Sequence, residues 1–425
     1  MRIQRTLPPV AAPIPWKDIL RSLWGIIRPQ TALETIQEEF RTYFEVKHVW
    51  FVSSGKAALT LILLALRNLS KGHRVVVPGY TCFSVPSAVV RAACSVVPCD
   101  VEKNSLNLDL AQLSNELDDE TLCVLVTHLF GIGCDVARVA DLCRRHGVFV
   151  VEDVAQALGG THGGSRLGTI GDVAFVSFGR GKNVSCGAGG AILTNNDLIG
   201  KAIAREYDAI PQESVCEMLR NWLEVVLTKL LTHPAVYWLP ASLPFLGLGE
   251  TKFYTDFPVT RMGAFRAELL RGWNTRLLSS NNWRRARAKQ ALDILGREGV
   301  EPIKSSDSDG DVYLRLPVLM GSAEEKTSLC RLAQEEGLGI SSMYPSSIDQ
   351  IPELNRELSG YKLPCAASIA ERLVTLPTHQ LVTAGDVARI CHTVGSIHHR
   401  SASPHSVSIA LSDRQRDVPD FHHIK

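Results

Sequence analysis

A lysine at position 182 stands among glycines, directly after the short apolar run VAFVSF. Such a run is typical of a buried strand, and glycines allow a backbone to approach a ligand closely. A P-loop would require glycine at 176 and serine or threonine at 183, but these positions hold Val176 and Asn183. A lysine in a partly desolvated pocket loses proton affinity and becomes a nucleophile towards an aldehyde. Lys182 is therefore predicted to form an imine with an aldehyde compound.

Two further segments offer the groups that chemistry on such an imine requires. In VFVVEDVAQALGG, Asp153 is predicted to lie just past the end of a strand, where a carboxylate could keep a pyridine nitrogen protonated. The segment SSGKAAL (53–59) is typical of a turn into a helix, whose free N–H groups and dipole suit a phosphate. Ser177 adds a hydroxyl five residues before Lys182. Together these groups predict a site for pyridoxal 5′-phosphate (PLP).

The elements that must position these residues alternate between strand-like and helical runs. From about residue 47 to 195, apolar runs rich in β-branched residues are separated by helical stretches such as VARVADLCRRHG. This alternation predicts an α/β fold with a mostly parallel sheet covered on both faces. In such a sheet, ligands bind at the loops that leave the carboxyl ends of the strands.

The wider pattern predicts four parts of the chain. Residues 1–35 form an N-terminal arm whose first fifteen residues are Pro-rich, and 36–260 form the large cofactor-binding domain. Residues 261–397 begin with a long charged helix and form a smaller C-terminal α/β domain. The polar tail 398–425 is predicted to be disordered.

Residues 216–250 form a strongly apolar segment inside the large domain, and two interpretations stay open. Prolines and charged residues interrupt the segment, so a transmembrane helix is not expected. One interpretation is an amphipathic helical insertion that packs on the body of the protein or on a partner subunit. The other is a peripheral contact with a membrane surface or a lipid substrate, since Trp, Tyr and Leu cluster there.

Composition narrows the class of protein. Of the 425 residues, 45% are hydrophobic and 21% charged, as in ordinary soluble proteins. The formal net charge of +1 does not indicate a basic surface that would bind nucleic acid. The eleven cysteines include no C-x-x-C pair, and the Pro-broken N-terminus does not resemble a signal peptide. These features predict reduced thiols, a cytoplasmic location and no metal site.

The chemical motifs resemble those of the DegT/DnrJ/StrS family of PLP-dependent sugar aminotransferases, over roughly residues 35 to 395. The motifs occur in family order and are SSGKAAL (53–59), VVVPGYTCFS (75–84), THLFG (127–131), VEDVAQALGG (151–160), GTIGDVAFVSFGRGK (168–182), GAGGAILT (187–194), TRM (260–262), ISSMYP (340–345) and AERLVTLPTH (370–379).

The resemblance implies a PLP fold type I aminotransferase, in which a large domain with a mostly parallel seven-stranded sheet is joined to a smaller C-terminal α/β domain. It implies a homodimer whose sites are completed by the partner subunit. Lys182 would carry the Schiff base, Asp153 would bind the pyridinium nitrogen, and Gln156 would lie near the ring hydroxyl. The phosphate contacts would come from Ser177 and from the turn that contains Ser54, Gly55, Lys56 and Ala57.

Three positions depart from the family pattern. Lys56 replaces the usual threonine of the phosphate turn, and its cation also suits a phosphate. Cys82 occupies the usual position of the aromatic residue that stacks on the ring, so Cys82, Phe83 or Tyr80 is expected to take that place. The segment before Arg261 reads FPVT and lacks the asparagine that reaches the partner's phosphate in the family.

Several candidates have an equally simple structural interpretation. Asp153 could cap a helix beginning at DVAQAL, and Lys56 could be a solvated helix-start lysine. His128, near a strand end, could contact substrate or could be a core or turn histidine. Tyr344 could contact substrate or be a turn residue.

The predicted reaction moves an amino group from an amino acid, glutamate by expectation, to a keto-sugar that the resemblance implies is nucleotide-linked. One alternative is a PLP-dependent dehydratase of deoxysugars, but that branch of the family carries histidine in place of the lysine. Another is a non-catalytic regulatory protein on the same fold, which would be expected to lose Lys182 or Asp153. Both residues are present, and this favours transamination.

Overall fold

The structure is a computed structural model. It describes residues 4–402 except 28, 244–246, 248, 301, 304 and 306. Within these residues the strands are β1 (His48–Val52), β2 (Arg74–Pro78), β3 (Ser95–Cys99), β4 (Thr121–Thr127), β5 (Phe149–Asp153), β6 (Thr161–His162), β7 (Ser165–Arg166), β8 (Val173–Ser177), β9 (Gly190–Thr194), β10 (Arg315–Leu319) and β11 (Leu373–Pro377).

The helices of the described residues surround these strands. They are α1 (Trp16–Arg21), α2 (Trp24–Ile27), α3 (Pro29–Phe44), α4 (Gly55–Arg67), α5 (Ser84–Arg91), α6 (Leu110–Glu116), α7 (Val136–His146), α8 (Asp197–Ala209), α9 (Val215–Leu231), α10 (Trp238–Ala241), α11 (Ala264–Leu270), α12 (Trp273–Arg297), α13 (Ala323–Glu336), α14 (Asn355–Leu358), α15 (Pro364–Arg372) and α16 (Ala384–Ala402).

The large domain contains the predicted seven-stranded sheet, in the order β1-β9-β8-β5-β4-β2-β3. Strand β9 pairs antiparallel with both of its neighbours, β1 and β8, and the other four pairings in the sheet are parallel. The carboxyl ends of β1, β2, β4, β5 and β8 therefore lie along one edge. This arrangement confirms the mostly parallel α/β sheet, and that edge is where a ligand is expected.

Burial explains why the central elements form. All seven residues of β4 are buried, which fits an apolar strand covered on both faces. Helix α4 is equally apolar, and the side chain of Ser54 caps it by accepting a hydrogen bond from Ala57 N. Helix α7 ends at Gly147, whose φ of 67° is the left-handed conformation that glycine adopts most easily.

The smaller domain is built on the two-stranded antiparallel sheet of β10 and β11. Its apolar core joins these strands to α12, α13 and α16. The N-terminal arm is fixed to this domain: Leu7 N donates to Gly337 O at 2.8 Å, and Arg5 forms an ion pair with Asp386 at 2.5 Å.

Three predicted boundaries are corrected. Residues 1–35 are not all an arm, because α1, α2 and the start of α3 lie within them. The long helix expected from 261 is two helices, separated at Gly272, which has a φ of 72°. Phe265 and Trp273 belong to the core of the large domain, so the small domain begins later than 261.

The C-terminal boundary also moves. Helix α16 continues to Ala402, so residues 398–402 are helical and not part of a disordered tail. Residues 403–425, which carry the rest of that prediction, lie outside the described residues.

The apolar segment 216–250 is helical over α9, as predicted. One face of α9 packs on the large domain through Trp222 and Val225. The other face exposes a row of leucines, each about half accessible: Leu219, Leu223, Leu227 and Leu230. In the part of the chain that the structure describes, none of the helices combines the length and the apolar character that crossing a membrane requires.

Candidate active site

Five loops meet at the sheet edge where the parallel strands end. Each carries a residue from the sequence prediction or its direct neighbour: Ser54 follows β1, Cys82 follows β2, His128 follows β4, Asp153 ends β5 and Ser177 ends β8. Asp153 pairs in register with Thr127 on one side and Phe175 on the other. The sheet therefore brings together groups that are far apart in the sequence.

Lys182 lies in the loop after β8 and is half-buried. Its backbone N–H donates to Gly179 O at 3.2 Å, which holds the loop in a tight turn. Burial lowers the pKa of the Lys182 amine, while Cys82 and Asp153 oppose the shift. The neutral, nucleophilic amine is thus accessible at lower pH than in a solvated lysine.

Asp153 is buried, with 6% of its surface exposed, and its Oδ1 accepts a hydrogen bond from Ala155 N at 2.9 Å. Burial raises the pKa of this carboxyl, while the Ala155 N–H, Lys182 and His128 oppose the shift. No helix begins here, since residues 155–159 form turns, so the helix-cap interpretation is wrong. A buried carboxylate of this kind favours a cation beside it, such as a protonated pyridine nitrogen.

The start of α4 and the end of β8 form an anion cradle. The first-turn N–H groups of Gly55 and Lys56 have no partner within the helix, as at any helix start. A Cβ at Gly55 would lie 3.0 Å from the Ser177 Cβ, so glycine is needed for this approach. The predicted phosphate contact of Ala57 is corrected, because the Ala57 N–H donates to the Ser54 side chain at 3.1 Å and is not free for a phosphate.

Lys56 is placed differently from the expectation. Its ammonium lies 3.5 Å from the centre of the Tyr254 ring and 4.5 Å from that of Phe257. Cation–π contacts of this kind hold the side chain on the aromatic pair. The ammonium of Lys56 is therefore neither simply solvated nor directed at the anion cradle. Lys56 contributes only its backbone N–H to the cradle.

Cys82, Phe83 and Tyr80 are the predicted candidates for the ring-stacking position, and their surroundings differ. Cys82 is half-buried, accepts a hydrogen bond from Ser84 Oγ at 3.0 Å, and acts electrostatically on Lys182. Phe83 is 5% exposed and packs in the apolar core with α4 and α5. Tyr80 is buried, with its ring centre 5.6 Å from that of Tyr344. The geometry therefore favours Cys82 over Phe83, although both remain predictions.

His128 is corrected from a substrate contact to a structural residue. It is fully buried, its Nε2 lies 3.2 Å from Glu152 Oε2, and its Nδ1 accepts from Cys134 N at 3.0 Å. An acceptor at Nδ1 places the proton on Nε2, which donates to Glu152. Both ring nitrogens are thus occupied within the protein.

Glu152 was not predicted from the sequence, and its carboxylate links His128 to the loop before β8. Besides His128, its carboxylate accepts three backbone N–H groups at 2.6–2.8 Å, those of Gly168, Ile170 and Gly171. Burial alone would raise the pKa of Glu152, but the His128 and backbone hydrogen bonds bring it below its usual value. The sequence signal for this residue was an acidic side chain within an apolar strand-like run, directly before Asp153.

We expect Glu152→Gln to destabilise the protein by about 3 kcal/mol, because an amide NH₂ would face buried N–H donors that the carboxylate now accepts. The urea midpoint of the cofactor-free protein measures this change. Glu353→Gln, at an exposed position, is the matched control and should leave the midpoint within error. Equal midpoints for the two variants would contradict the role given to Glu152.

Gln156 and Tyr344 meet across the two domains. Gln156 Nε2 donates to Tyr344 Oη at 2.8 Å, and Gln156 Oε1 accepts from Phe130 N at 3.1 Å. Tyr344 is 3% exposed, and its ring stacks on that of Phe130 with centres 6.4 Å apart. Tyr344 is therefore more than a turn residue, since it is buried against Gln156 and Phe130.

Arg315 is a second cation in the site that sequence reasoning missed. It begins β10 and is half-buried, and its charge acts on both Lys182 and Tyr344. Burial lowers the pKa of the Arg315 guanidinium to about 10. A lone arginine within the apolar run VYLRLPVLM was the available signal.

Together, the residues at this sheet edge are suited to bind PLP. A half-buried amine (Lys182), a buried carboxylate (Asp153) and a cradle of N–H and hydroxyl donors (Gly55 and Ser177) lie along one sheet edge. These are the three functions that a site for an aldehyde-bearing pyridine phosphate must provide.

Comparison with known proteins identifies the family. The chain is 32% identical over 209 residues to GDP-perosamine synthase of Vibrio cholerae, covering 49% of this chain and 55% of that protein. It is 28% identical over 355 residues to dTDP-3-amino-3,4,6-trideoxy-alpha-D-glucose transaminase of Streptomyces venezuelae, covering 81% of both. The chain spans about half the length of several curated relatives that it matches.

The fold comparison agrees with the sequence comparison. The Helicobacter pylori aminotransferase PseC, involved in pseudaminic acid biosynthesis, superposes with a TM-score of 0.75 at 15% identity, covering 93% of this chain and all of that one. The model of the DegT/DnrJ/EryC1/StrS aminotransferase family matches residues 16–218 and 258–395. The chain belongs to this family of aminotransferases.

Proposed function

We propose that the protein is a PLP-dependent aminotransferase that moves an amino group from an amino acid, glutamate by preference, to a nucleotide-linked keto-sugar. The observation that carries the proposal is the half-buried Lys182 at the sheet edge it shares with Asp153 and the start of α4. Relatives named as a GDP-perosamine synthase and a dTDP-amino-sugar transaminase support the substrate class.

The residues of this chain divide the work of such a reaction. When bound, PLP supplies the aldehyde and an electron-withdrawing pyridinium ring. Asp153 would keep a proton on the pyridine nitrogen, and the N–H groups of Gly55 and Lys56 with the Ser177 hydroxyl would hold the phosphate. The Nζ of Lys182 would hold the aldehyde carbon of PLP, and as a free amine it would be the base and acid that moves the proton of the donor's Cα.

A homodimer with sites completed by the partner subunit is part of the proposal, as is a cytoplasmic setting. All eleven cysteines are free in the structure, which suits a reducing compartment. The exposed leucine face of α9 supports either a contact with the partner subunit or a peripheral contact with lipid.

The experiment that tests the proposal is a half-reaction screen. The aminated cofactor form of the purified protein is mixed with nucleotide-linked keto-sugars, and return of the aldehyde form is followed by absorbance. The matching sugars with a hydroxyl in place of the ketone are the controls and should not react. Conversion of an added sugar with loss of water, and no amino-sugar by mass spectrometry, would favour the deoxysugar dehydratase instead. A protein that does not bind PLP would favour the regulatory alternative.

The pH dependence of PLP attachment follows from the lowered pKa of Lys182. A lysine reacts only as the neutral amine, so a lowered pKa moves the reactive range down. The rate of imine formation in the cofactor-free protein should therefore reach half its maximum below the usual lysine pKa of about 10.4. Stopped-flow absorbance from pH 6 upwards, at constant ionic strength, measures this midpoint. A midpoint at or above that of a model lysine peptide would contradict the desolvated amine.

A further inference from the structure

Residues 254–260, here called the strap, connect α5 to the turn before α4. At one end of the strap, Tyr254 N donates to Ser87 Oγ of α5 at 3.2 Å. At the other end, Thr260 N donates to Ser53 Oγ at 3.2 Å, and Ser53 N donates to Thr260 O at 2.9 Å. Ser53 directly precedes the N-cap of α4. The strap is therefore hydrogen-bonded to the turn that leads into the anion cradle.

The strap also contacts the first turn of α4 itself. The ammonium of Lys56 lies over the rings of Tyr254 and Phe257, at 3.5 and 4.5 Å from their centres. Phe257 is 5% exposed and packs in the core with α4 and α5. On α5, Arg91 Nη1 donates to Thr255 O at 3.1 Å, and its guanidinium carbon lies 5.2 Å from the Phe257 ring centre. Lys56 is thus held against a part of the strap that is fixed from both sides.

The position of Lys56 explains why its ammonium needs such a partner. The N–H groups of a first helical turn carry partial positive charge, so a cation beside them is unfavourable. An aromatic face attracts a cation, and here two of them engage the ammonium. The Lys56 side chain is therefore held away from the cradle, while its backbone N–H stays available to an anion.

Both sides of this contact depart from the family pattern. Residues 219–257, which include the two rings, are not matched by the family model. Lys56 stands where the phosphate turn of the family usually has threonine. The contact between the lysine and the rings is therefore a feature of this chain that membership of the family does not predict.

We propose that Lys56, Tyr254 and Phe257 form a cation–π clamp that positions the anion cradle for the phosphate of PLP. The inference rests on the proposed function, in which the phosphate lies at this cradle. The strap contacts the chain on both sides of the N-cap, at Ser53 and at Lys56. Donors that are already held in place bind an anion without the cost of ordering them. Lys56 and Tyr254 are thus positioning residues that act through the backbone N–H groups of the turn.

The test compares PLP with pyridoxal, which has the same aldehyde and lacks the phosphate. Absorbance titration of the cofactor-free protein gives a Kd for each compound. For Lys56→Met we expect the Kd of PLP to rise about 2- to 30-fold, which is the range of a cation–π contact. For Tyr254→Leu, which removes one ring at a half-exposed position, we expect a rise of about 2- to 5-fold. The Kd of pyridoxal should be unchanged in both variants, because Lys182 is untouched.

Conservative variants separate the clamp from the charge of Lys56. Lys56→Arg keeps a cation that stacks on aromatic faces, and Tyr254→Phe keeps the ring, so both should bind PLP as wild type does. Lys71→Met, at an exposed position, is the matched control for the loss of a positive charge and should leave both Kd values within error. The double variant Lys56→Met/Tyr254→Leu should bind PLP as Lys56→Met does, because their shared contact is already lost.

Four results would overturn the clamp or its basis. A Kd for PLP in Tyr254→Leu equal to or below that of wild type would show that the rings do not position the cradle. Equal losses for PLP and pyridoxal in Lys56→Met would show a general effect on the site. A double variant whose loss is the product of the two single losses would show that the side chains act independently. A wild type that binds PLP no better than pyridoxal, or not at all, would overturn the proposed function's phosphate site, and this is seen before any variant is compared.

Discussion

Replacing Lys182 with alanine is expected to abolish both transamination and covalent attachment of PLP. Among the described residues, Lys182 is the only lysine whose amine acts on Asp153 at the sheet edge. The variant loses this amine. Loss of a positioned general acid and base costs on the order of 10²- to 10⁴-fold in rate, and loss of the covalent anchor adds to this. Borohydride reduction followed by peptide mass spectrometry should find the cofactor adduct on Lys182 in wild type and no adduct in the variant.

Lys201→Ala is the matched control, since this lysine is exposed on α8. It should keep the adduct, the absorbance band of the bound cofactor and the wild-type rate. An adduct on another lysine of wild type, or unchanged turnover in Lys182→Ala, would remove the basis of the proposed function. A circular dichroism spectrum equal to that of wild type would show that the loss in Lys182→Ala is chemical.

The predicted site residues that the structure brings to one edge of the sheet are those whose sequence signal is local. Asp153, Ser177 and Lys182 each follow a short apolar run, and the ends of parallel strands meet at one edge of a sheet. The glycine at 55 and the cap at Ser54 also lie within a few residues of each other. Strand order was not needed for these predictions, because any parallel arrangement of the strands brings their carboxyl ends together.

The predictions that needed correction depend on contacts between distant parts of the chain. Lys56 is engaged by Tyr254 and Phe257, about 200 residues later, and no local pattern encodes that pairing. His128 is occupied by Glu152 and by a backbone N–H, although a histidine at a strand end is equally typical of a catalytic position. Sequence patterns indicate which groups can do chemistry, but the packing decides which of them are already satisfied.

The domain boundary at 261 failed for a related reason. The sequence of α11 and α12 has the charged, helical character of a surface element. In the structure, Phe265 and Trp273 pack against α3 and the sheet, with the Trp273 ring centre 4.2 Å from that of Phe40. Phe40 lies more than 220 residues earlier, so α11 and the start of α12 belong to the large domain through a contact that periodicity alone does not reveal.

Asp153→Asn is expected to leave the fold and covalent attachment of PLP intact and to remove most of the rate. Asparagine has the same shape, and its carbonyl oxygen can still accept the hydrogen bond from Ala155 N. The missing negative charge no longer keeps the ring nitrogen protonated, so the ring withdraws electrons less well. Removing one preorganised electrostatic partner costs about 10²- to 10³-fold in kcat.

Burial makes this residue sensitive to the charge that it faces. Because burial raises the pKa of Asp153, its ionised form depends on nearby positive charge, from Lys182 and from the bound ring. A PLP analogue methylated on the ring nitrogen carries a permanent charge and should restore part of the rate of Asp153→Asn, with little gain in wild type. Asp119→Asn, at an exposed position, is the control and should match wild type with either cofactor. Wild-type kinetics in Asp153→Asn with ordinary PLP would show that the ring nitrogen is not protonated by this carboxylate.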